Sequence, residues 1–398
     1  MIMIYSDFKD LRLSKLGFGA MRLPLQEDGK TIDASAVSGM VAYAMEHGIN
    51  YFDTAFPYHA GFSEIVLGEA LKAYPRDSWY LADKFPGHQH HLGMTPAEVF
   101  EQQLQKCGVD YFDFYLLHNV CENSLDNYMD PSKGIVDYFV EQRRLGRIKH
   151  LGFSSHADLG ALEEFLNSPY GAQMEFCQIQ LNYLDWTLQK AREKCGLIRS
   201  KGLPIWVMEP LRGGRLSSLG DEADAALKAL RPDESVSAWA FRWLQSVPGV
   251  TVILSGMSNL DQMVDNVHSF EAERPLSAAE EAALLDAVAP LRSRVPCTAC
   301  RYCCDGCPME LDIPMLIAAY NDLSLGFNFT PVMRLEALPE DKRPSACLAC
   351  GACAEICPQH IPIPDVLAEL AERYDSMPKW SDICCQRAEE AAKLNKND

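Results

Sequence analysis

The sequence predicts an α/β protein in which a (β/α)8 TIM barrel is followed by a smaller, mainly helical domain that is rich in cysteine. Strand-like and helix-like patterns alternate eight times over about 255 residues, which is the count and size of such a barrel. The predicted strands are near-continuous apolar runs, as expected for strands that are covered on both faces. Nine of the 15 cysteines lie between Cys297 and Cys357, so the composition changes after the barrel.

Each predicted strand is followed by a predicted helix, and residues 1–15 are predicted to form a small polar hairpin ahead of the first strand. The predicted strands are 16–20, 51–55, 80–85, 113–118, 150–155, 176–182, 204–209 and 250–256. The predicted helices lie near 33–47, 63–73, 95–107, 134–145, 158–166, 189–201, 234–246 and 259–268. The pattern from Ser277 to Leu291 predicts one more helix, packed outside the barrel.

The predicted domain limits follow from these patterns. The barrel is assigned to residues 1–292, the cysteine-rich domain to 293–376 and a C-terminal helical tail to 377–398. A doubly wound open sheet is the alternative to the barrel, but such a sheet usually carries a Gly-rich turn after its first strand. The segment from Leu16 to Met21 matches that turn only weakly, so the barrel is favoured.

Composition limits the possible partners and the compartment. The net charge of −19 argues against nucleic acid or an anionic membrane as a partner and suits a protein that meets small molecules or basic proteins. No apolar run reaches membrane-spanning length, and the N-terminus becomes polar too early for a signal peptide. The sequence therefore predicts a cytoplasmic protein, in which fifteen cysteines would be unusual as disulfides.

The stretch from Tyr51 to Glu64 carries the first sign of chemistry. Its first five residues predict a buried strand in which Asp53 is the one residue that does not suit a core. Tyr58 follows in the loop, and Ser63 is the predicted N-cap of the next helix. An acid at a strand end and a tyrosine in the loop beyond it are placed as a barrel active site would place them. The alternative is a hydrogen-bonded structural aspartate beside an ordinary loop tyrosine.

Polar residues recur at the predicted C-terminal ends of the strands, where active sites of this architecture lie. In chain order, with Tyr58 in a loop, they are Asp53, Tyr58, Lys84, His118, Ser154, Ser155, Gln178, Asn182, Glu209 and Ser255. Any one of them could be a satisfied structural group. Together, the first four suit carbonyl reduction by hydride, which leaves an alkoxide that needs a proton.

Each of these four side chains has a predicted part in that reaction. Tyr58 can act as the acid if its pKa, about 10 when unperturbed, falls towards working pH. The Lys84 ammonium would lower the pKa of that phenol, and the Asp53 carboxylate would keep the lysine charged and oriented. His118 would then hydrogen-bond the substrate oxygen.

At these residues the sequence resembles the aldo-keto reductase superfamily over about residues 1–290. The matching segments are Leu16–Pro24, Phe52–Gly68, Leu81–Phe85, Tyr115–His118, Gly152–Ser155, Gln178–Tyr183 and Glu209–Leu211. The resemblance implies that Asp53, Tyr58, Lys84 and His118 form the family's catalytic tetrad and that NADPH or NADH donates hydride to a small-molecule carbonyl substrate, or accepts it from an alcohol. It also implies nucleotide contacts, with Ser154, Ser155 and Gln178 holding the nicotinamide carboxamide and further contacts at Gly19, Met21, Met208, Leu211, Ser255, Gly256, Gln262 and Asn266.

Two departures from the family pattern bear on the nucleotide. Met208 occupies the position that is often an aromatic residue stacked on the nicotinamide. Gly256 and Gln262 occupy positions where many members place cations against the 2′-phosphate of NADPH. The helix beginning near Asn259 could still take a phosphate by its free N–H groups. The choice between NADPH and NADH therefore stays open.

The cysteine-rich region contains a true internal repeat. The motif Cys297-x2-Cys300-x2-Cys303-x3-Cys307-Pro308 recurs at identical spacing 50 residues later, and the second copy is Cys347, Cys350, Cys353, Cys357 and Pro358. This is the spacing of bacterial two-cluster ferredoxins, in which the fourth cysteine of each motif ligates the other cluster. The predicted ligands are Cys297, Cys300, Cys303 and Cys357 for one 4Fe–4S cluster, and Cys307, Cys347, Cys350 and Cys353 for the other.

Alternatives remain for these cysteines. A pair of zinc sites is the other possibility, since C-x2-C spacing also suits zinc. Cys304 is surplus to the motif, and Cys384 and Cys385 lie in a charged C-terminal pattern and are interpreted as bystanders. The separation between the motifs, with helices predicted at Ile313–Leu323 and Pro364–Tyr374, resembles the helical ferredoxin domains of respiratory iron–sulfur subunits.

Three functions are compatible with these features. The first is an NAD(P)H-dependent carbonyl oxidoreductase fused to a two-cluster electron carrier. Hydride carries two electrons and each cluster passes one, so direct exchange between them would need a flavin or a radical-tolerant substrate. The second is an electron-transfer protein that links a redox partner, such as a ferredoxin or flavodoxin, to a ligand at the barrel mouth. The third is a non-catalytic nucleotide-binding redox sensor.

Overall fold

The computed structural model describes residues 3–89, 93–122, 124–289, 291, 294–324 and 329–379. Two compact units make up the chain, Met1–Ala289 and Pro290–Asp398. Most of the predicted C-terminal tail, including Cys384 and Cys385, lies outside the described residues. Within the described ranges, none of the helices combines the length and the apolar character needed to cross a membrane.

The first unit is a closed barrel of eight parallel strands, so the predicted (β/α)8 fold is confirmed and the open sheet is excluded. The strands pair in chain order, and the last one closes on the first. Their bounds are β3 Leu16–Gly19, β4 Tyr51–Asp53, β5 Tyr80–Phe85, β6 Phe112–Val120, β7 Ile148–Ser155, β8 Cys177–Gln180, β9 Ile205–Met208 and β10 Val250–Gly256.

Helices connect successive strands and cover the outside of the barrel. They are α1 Ala34–Glu46, α2 Ser63–Leu71, α3 Pro96–Cys107, α4 Leu125–Met129, α5 Ile135–Arg144, α6 Leu159–Asn167, α7 Asp185–Leu188, α8 Ala191–Ser200, α9 Asp221–Leu230, α10 Val236–Gln245, α11 Leu260–Ser269 and α12 Ala278–Ala287. The sequence did not predict α4, α7 or α9. Helix α9 buries only Leu227.

Ser63 does not cap α2 as predicted, because it is the first residue of the helix and Phe62 is the N-cap. Its hydroxyl donates to the carbonyl of Ala20 at 3.0 Å and lies 2.9 Å from the hydroxyl of Thr54. The buried serine therefore joins the segments that follow β3 and β4, where the polar strand-end residues lie.

The N-terminal hairpin is an apolar plug and not the small polar element that was predicted. It consists of β1 Tyr5–Phe8 and β2 Leu11–Ser14, paired antiparallel. Phe8 and Leu13 are buried in a cluster with interior residues of the barrel that include Phe114 and Trp206. Charged and polar residues between these apolar ones hide this role in the sequence. The hairpin closes the N-terminal end of the barrel.

Glu175 fastens this plug to the barrel wall. It accepts hydrogen bonds from Lys9 on the hairpin and, at 3.1 Å, from Nδ1 of His150 on β7. Burial would raise the pKa of Glu175, but these two partners outweigh that effect and lower it to about 2. The carboxylate is therefore an electrostatic contact that stabilises the folded hairpin at neutral pH.

The second unit is helical. Its helices are α13 Tyr302–Asp305, α14 Ile313–Leu323, α15 Phe329–Glu336, α16 Ala352–Glu355 and α17 Ile363–Ser376. Helices α14 and α17 follow the two cysteine motifs at equivalent positions and pack against each other through a shared apolar core. That core includes Leu316, Ile317, Leu367 and Leu370.

Candidate active site and cysteine-lined cavities

Asp53 and Lys84 form a buried ion pair at the C-terminal ends of β4 and β5. The ammonium of Lys84 lies 2.5 Å from Oδ1 of Asp53 and donates to the carbonyl of Thr54 at 2.7 Å. Neither charged side chain is more than 4% exposed. Burial raises the pKa of Asp53, and the Lys84 ammonium opposes that rise.

The backbone of Lys84 is held from outside the barrel by buried polar side chains. Oδ1 of Asp83 accepts from the Lys84 N–H at 2.8 Å, and the amide of Gln103 donates to the Lys84 carbonyl at 3.0 Å. The hydroxyl of Tyr115 donates in turn to Gln103 at 2.5 Å. Burial, with the nearby carboxyl of Glu64, raises the pKa of Asp83 well above its usual range. Lys84 is thus fixed at both its ammonium and its peptide groups.

Tyr58 and His118 complete the predicted group of four. The centroid of the Tyr58 ring lies 5.0 Å from the Lys84 ammonium and 5.9 Å from the imidazole of His118, which it meets edge-on. The loop after Tyr58 is held by His59, whose Nε2 accepts from the N–H of Leu23 at 3.1 Å. The structure therefore brings together the four side chains that the sequence singles out.

The pKa of Tyr58 differs from the sequence-based expectation. It is raised well above its usual range, chiefly by burial and then by the negative charges of Asp53, Glu209 and Asp83. In the folded site, Asp53 lies 2.5 Å from the Lys84 ammonium and offsets the positive charge that was expected to lower the pKa of Tyr58. The phenol of Tyr58 therefore retains its proton at neutral pH.

His118 is neutral as well. Burial lowers the pKa of His118 well below its usual range, and His88 and Lys84 add to that effect. Its Nδ1 atom is buried without a hydrogen-bond partner among the described residues. The carbonyl of His118 accepts from the hydroxyl of Tyr128 at 2.6 Å, which fixes the end of β6.

The residues predicted to hold a nicotinamide carboxamide lie side by side on β7 and β8, where Ser154 is paired with Gln178. Oε1 of Gln178 is buried with no partner in the described structure, and its amide lies 3.7 Å from the sulfur of Met208. Ser154 accepts from the N–H of Asn119 at 2.8 Å. The hydroxyl of Ser155 is already engaged, because it donates to the carbonyl of Val120 at 2.7 Å.

The residues predicted to hold the adenosine half lie around the end of β10 and the start of α11. Ser255 and Asn266 are buried and bonded to each other at 2.9 Å. The side-chain carbonyl of Gln262 accepts from the N–H of Ser258 at 2.8 Å, and Gly256 is exposed. These polar groups thus shape the turn, and a Cβ at Gly256 would come within 3.3 Å of the Arg22 side chain.

The three remaining predicted nucleotide contacts lie beside these groups. A Cβ at Gly19 would come within 3.2 Å of the Ser255 carbonyl, so glycine permits β3 and β10 to approach closely at this point. Met21 and Leu211 are half-buried and follow β3 and β9.

Three features of the mouth were missed from the sequence. Asn119, the penultimate residue of β6, has a φ of 55°, a left-handed conformation that is uncommon for non-glycine residues. Its Oδ1 is buried without a partner in the described chain. Asp185 and Arg212 form a buried ion pair at 3.1 Å. The charge of Arg22 lowers the pKa of both Tyr58 and Glu209, against stronger opposing effects of burial. These contacts span loops that are far apart in the chain, and the only sequence signal was that Asn119 follows His118.

The cysteines of the second unit surround two separate cavities, of about 300 and 340 Å³ including the open space at their mouths. The first is lined by Cys297, Cys300, Cys303 and Cys357. The second is lined by Cys307, Cys347, Cys350 and Cys353. Each cavity thus takes three cysteines from one motif and one from the other, while Cys304 packs against the domain core.

The arrangement of these thiols suits clusters better than single metal ions. Within the described part of the chain, no three His, Cys, Asp or Glu side chains converge closely enough to hold one ion. A zinc site requires such convergence at one point. A four-iron cluster instead takes each thiolate at a separate corner, which matches four cysteines spread around a cavity.

Comparison with known proteins agrees with both units. Residues 15–289 match the aldo/keto reductase family, and residues 296–361 match the 4Fe–4S dicluster domain. An NADH-specific methylglyoxal reductase of Escherichia coli is 27% identical over an alignment of 228 positions, and the match covers 52% of this chain and 67% of that protein. A probable aldo-keto reductase of Glycine max is 29% identical over 223 residues, and the match spans 52% of this chain and only 59% of that relative.

Solved structures show the same relationship. An aldo-keto reductase from Bacillus halodurans in its holo form is 27% identical with a TM-score of 0.57, and the match covers 72% of this chain and 96% of that one. The family match extends over well more than half of the present sequence. The chain therefore belongs to the aldo/keto reductase family and carries a C-terminal 4Fe–4S dicluster domain.

Proposed function

We propose that the barrel reduces a small-molecule carbonyl group with hydride from NADH or NADPH, and that Tyr58 donates the proton. The observation that carries this proposal is the convergence of Tyr58, His118 and the buried Asp53–Lys84 pair at one end of the barrel. Methylglyoxal, a small carbonyl compound, is the substrate named for one relative and is the first compound to test.

The proposed proton transfer fits the protonation states in the site. Tyr58 holds its proton at neutral pH, because burial and nearby carboxylates raise its pKa. As the substrate carbonyl becomes an alkoxide, its oxygen becomes a far stronger base than a phenolate and takes that proton. The Lys84 ammonium, 5.0 Å from the ring centroid, then stabilises the phenolate that is left. Neutral His118 can hydrogen-bond the substrate oxygen without competing for the proton.

The nucleotide, when bound, supplies the hydride, and buried polar atoms fit its nicotinamide carboxamide. Oε1 of Gln178 and Oδ1 of Asn119 are acceptors without partners in the described structure, and the amide group offers N–H donors. Positions 256 and 262 hold glycine and glutamine, which provide no positive charge for a 2′-phosphate. This supports the use of NADH at least as well as NADPH.

Replacement of Tyr58 by phenylalanine tests the proposed acid. Loss of a general acid costs roughly 10²- to 10⁴-fold in rate, so carbonyl reduction by Tyr58→Phe should fall by that factor while nucleotide binding is retained. Tyr80→Phe, at the opposite end of the strand that carries Lys84, is the matched control and should keep its activity. Undiminished reduction by Tyr58→Phe would refute the proposal.

We further propose that the eight motif cysteines hold two 4Fe–4S clusters in the crossed arrangement of the two cavities. The fit is that each cavity offers four thiols, one for each corner of a cluster. Iron and labile sulfide analysis of anaerobically purified protein tests this, with about eight of each expected for two four-iron clusters.

A second candidate function rests on the same cavities. The chain would act as an electron-transfer protein in which the clusters exchange electrons between a redox partner and a ligand at the barrel mouth. Mixing the oxidised protein with NADH or NADPH under anaerobic conditions, with and without free flavin, separates the two functions. Bleaching of the clusters by the nucleotide supports electron transfer, whereas carbonyl reduction with unchanged clusters supports the reductase alone.

A further inference from the structure

The two cysteine motifs form loops of the same conformation but expose them to different degrees. In both loops an alanine is left-handed, with φ of 56° at Ala299 and 51° at Ala349, and its N–H donates to the preceding cysteine sulfur at 3.4 Å. Thr298 in the first loop is 2% exposed, whereas the equivalent Leu348 is 63% exposed. Burial of the polar residue and exposure of the apolar one is the reverse of the usual preference.

The exposed leucine belongs to the wall of a cysteine-lined cavity. Leu348 and Cys350 both line the cavity that also contains Cys307 and Cys347. The residues from Leu348 to Cys350 are all exposed, and Cys350 is the exposed member of the eight motif cysteines. An apolar side chain therefore lies beside the most accessible thiol of this cavity.

The border of this surface is acidic. Asp305 and Glu310 flank the cavity-lining run from Gly306 to Met309, and both are exposed. Lys342 lies 3.2 Å from Glu310 and neutralises it only partly, because the glutamate side chain is 85% exposed. A partner that covers Leu348 would therefore be favoured by a basic contact surface.

We propose that the surface formed by Leu348, Ala349 and Cys350 is the docking site for a one-electron carrier protein with a basic contact face. The inference rests on the proposed function in one respect, since it requires the cluster held by Cys307, Cys347, Cys350 and Cys353. One electron leaves the reduced cluster, whose charge rises by one, and the carrier is reduced by one electron. No bond and no proton moves in this step.

Leu348→Thr gives the second loop the residue found in the first and so tests the surface without disturbing a cysteine. The dithionite-reduced full chain is mixed in a stopped-flow instrument with cytochrome c, a basic one-electron carrier protein, or with benzyl viologen, a small acceptor. Leu145→Thr is the matched control, because Leu145 is 54% exposed at the end of a barrel helix.

We expect the second-order rate constant with cytochrome c to fall about tenfold in Leu348→Thr and to stay within twofold in Leu145→Thr. The rate with benzyl viologen should change less than twofold in both variants. The wild-type rate with cytochrome c should also fall as salt is added, because salt screens the acidic border. Iron content and the electron paramagnetic resonance spectrum should match the wild type.

The other possible outcomes distinguish a failure of the proposed docking surface from a failure of the proposed clusters. Equal slowing with both acceptors, or no slowing with cytochrome c, refutes the docking surface while the proposed clusters stand. A wild-type dimer in sedimentation that Leu348→Thr dissociates would assign the surface to a second copy and would also refute the carrier. Absence of iron and labile sulfide from the wild type would refute the proposed clusters themselves, and the docking site with them.

Discussion

Replacing Asp53 by asparagine should destabilise the barrel more than replacing Lys84 by methionine. The two residues form one ion pair, but the two variants differ in how the remaining charged side chain can respond to the loss of its partner. Asp53→Asn leaves an ammonium that is fully buried and has lost its counter-charge. Breaking a buried pair in this way costs about 3–5 kcal/mol of unfolding free energy.

Lys84→Met leaves the carboxyl group of Asp53, whose pKa is already raised by burial. That group can therefore take up a proton and become neutral. The cost of Lys84→Met is then mainly that of the lost hydrogen bonds to Asp53 and Thr54, about 1–2 kcal/mol. The expected difference between the two variants is therefore about 2 kcal/mol.

Urea unfolding followed by tryptophan fluorescence measures this difference. With a slope of about 3 kcal/mol per molar urea, Asp53→Asn should lower the midpoint by about 1–1.7 M and Lys84→Met by less than about 0.7 M. The double variant Asp53→Leu with Lys84→Met removes both charges and should recover part of the loss. A Lys84→Met variant that is as unstable as Asp53→Asn would show that the carboxyl cannot neutralise itself and would refute the reasoning.

Three further predictions concern stability and nucleotide binding. Glu175→Gln should lower the free energy of unfolding by about 1–2 kcal/mol at pH 7. Because folding lowers the pKa of Glu175, the difference from the wild type should shrink as the pH falls from about 4 towards 2. Thermal melts at pH 7 and pH 3 would detect this change. Gly68→Ala should destabilise the barrel by about 2–3 kcal/mol, because the added Cβ would lie 2.4 Å from the Cys107 carbonyl oxygen. Gly39→Ala is the control, since a Cβ at that helical position would meet open space. In the same chemical unfolding assay it should be neutral or stabilising. Gln178→Met should weaken NADH binding about tenfold in a fluorescence titration, because it removes the unpartnered buried acceptor, and unchanged affinity would place the carboxamide elsewhere.

Much of the fold follows from patterns that are local in the sequence. Strands of a parallel barrel are covered on both faces, so their apolar runs stand out, and every predicted barrel strand overlaps an observed one. The polar residues at the ends of β4, β5 and β6 were recognisable because the architecture brings strand ends together. Asp53, Lys84 and His118 could therefore be grouped without knowledge of any distance.

Other properties depend on contacts that the sequence does not display. The pKa of Tyr58 is set by how much water the folded site excludes and by Glu209, which is far along the chain. The hairpin appeared polar because the residues that pack on the barrel interior, Phe8, Leu11 and Leu13, are separated by charged and polar ones. The left-handed conformation of Asn119 could not be predicted, because asparagine adopts it more often than most residues but is also common in ordinary turns.

The crossed lining of the two cavities has a consequence for biosynthesis. The cavity lined by the first three cysteines of the first motif is also lined by Cys357 of the second motif. The other cavity combines Cys307 of the first motif with the first three cysteines of the second. A nascent polypeptide therefore cannot offer four thiols to the first cavity before translation has passed residue 357, and the second must wait for residue 353. Neither cavity can therefore have its full set of four thiols until the second motif has been synthesised, and a premature stop between the motifs leaves both sets incomplete.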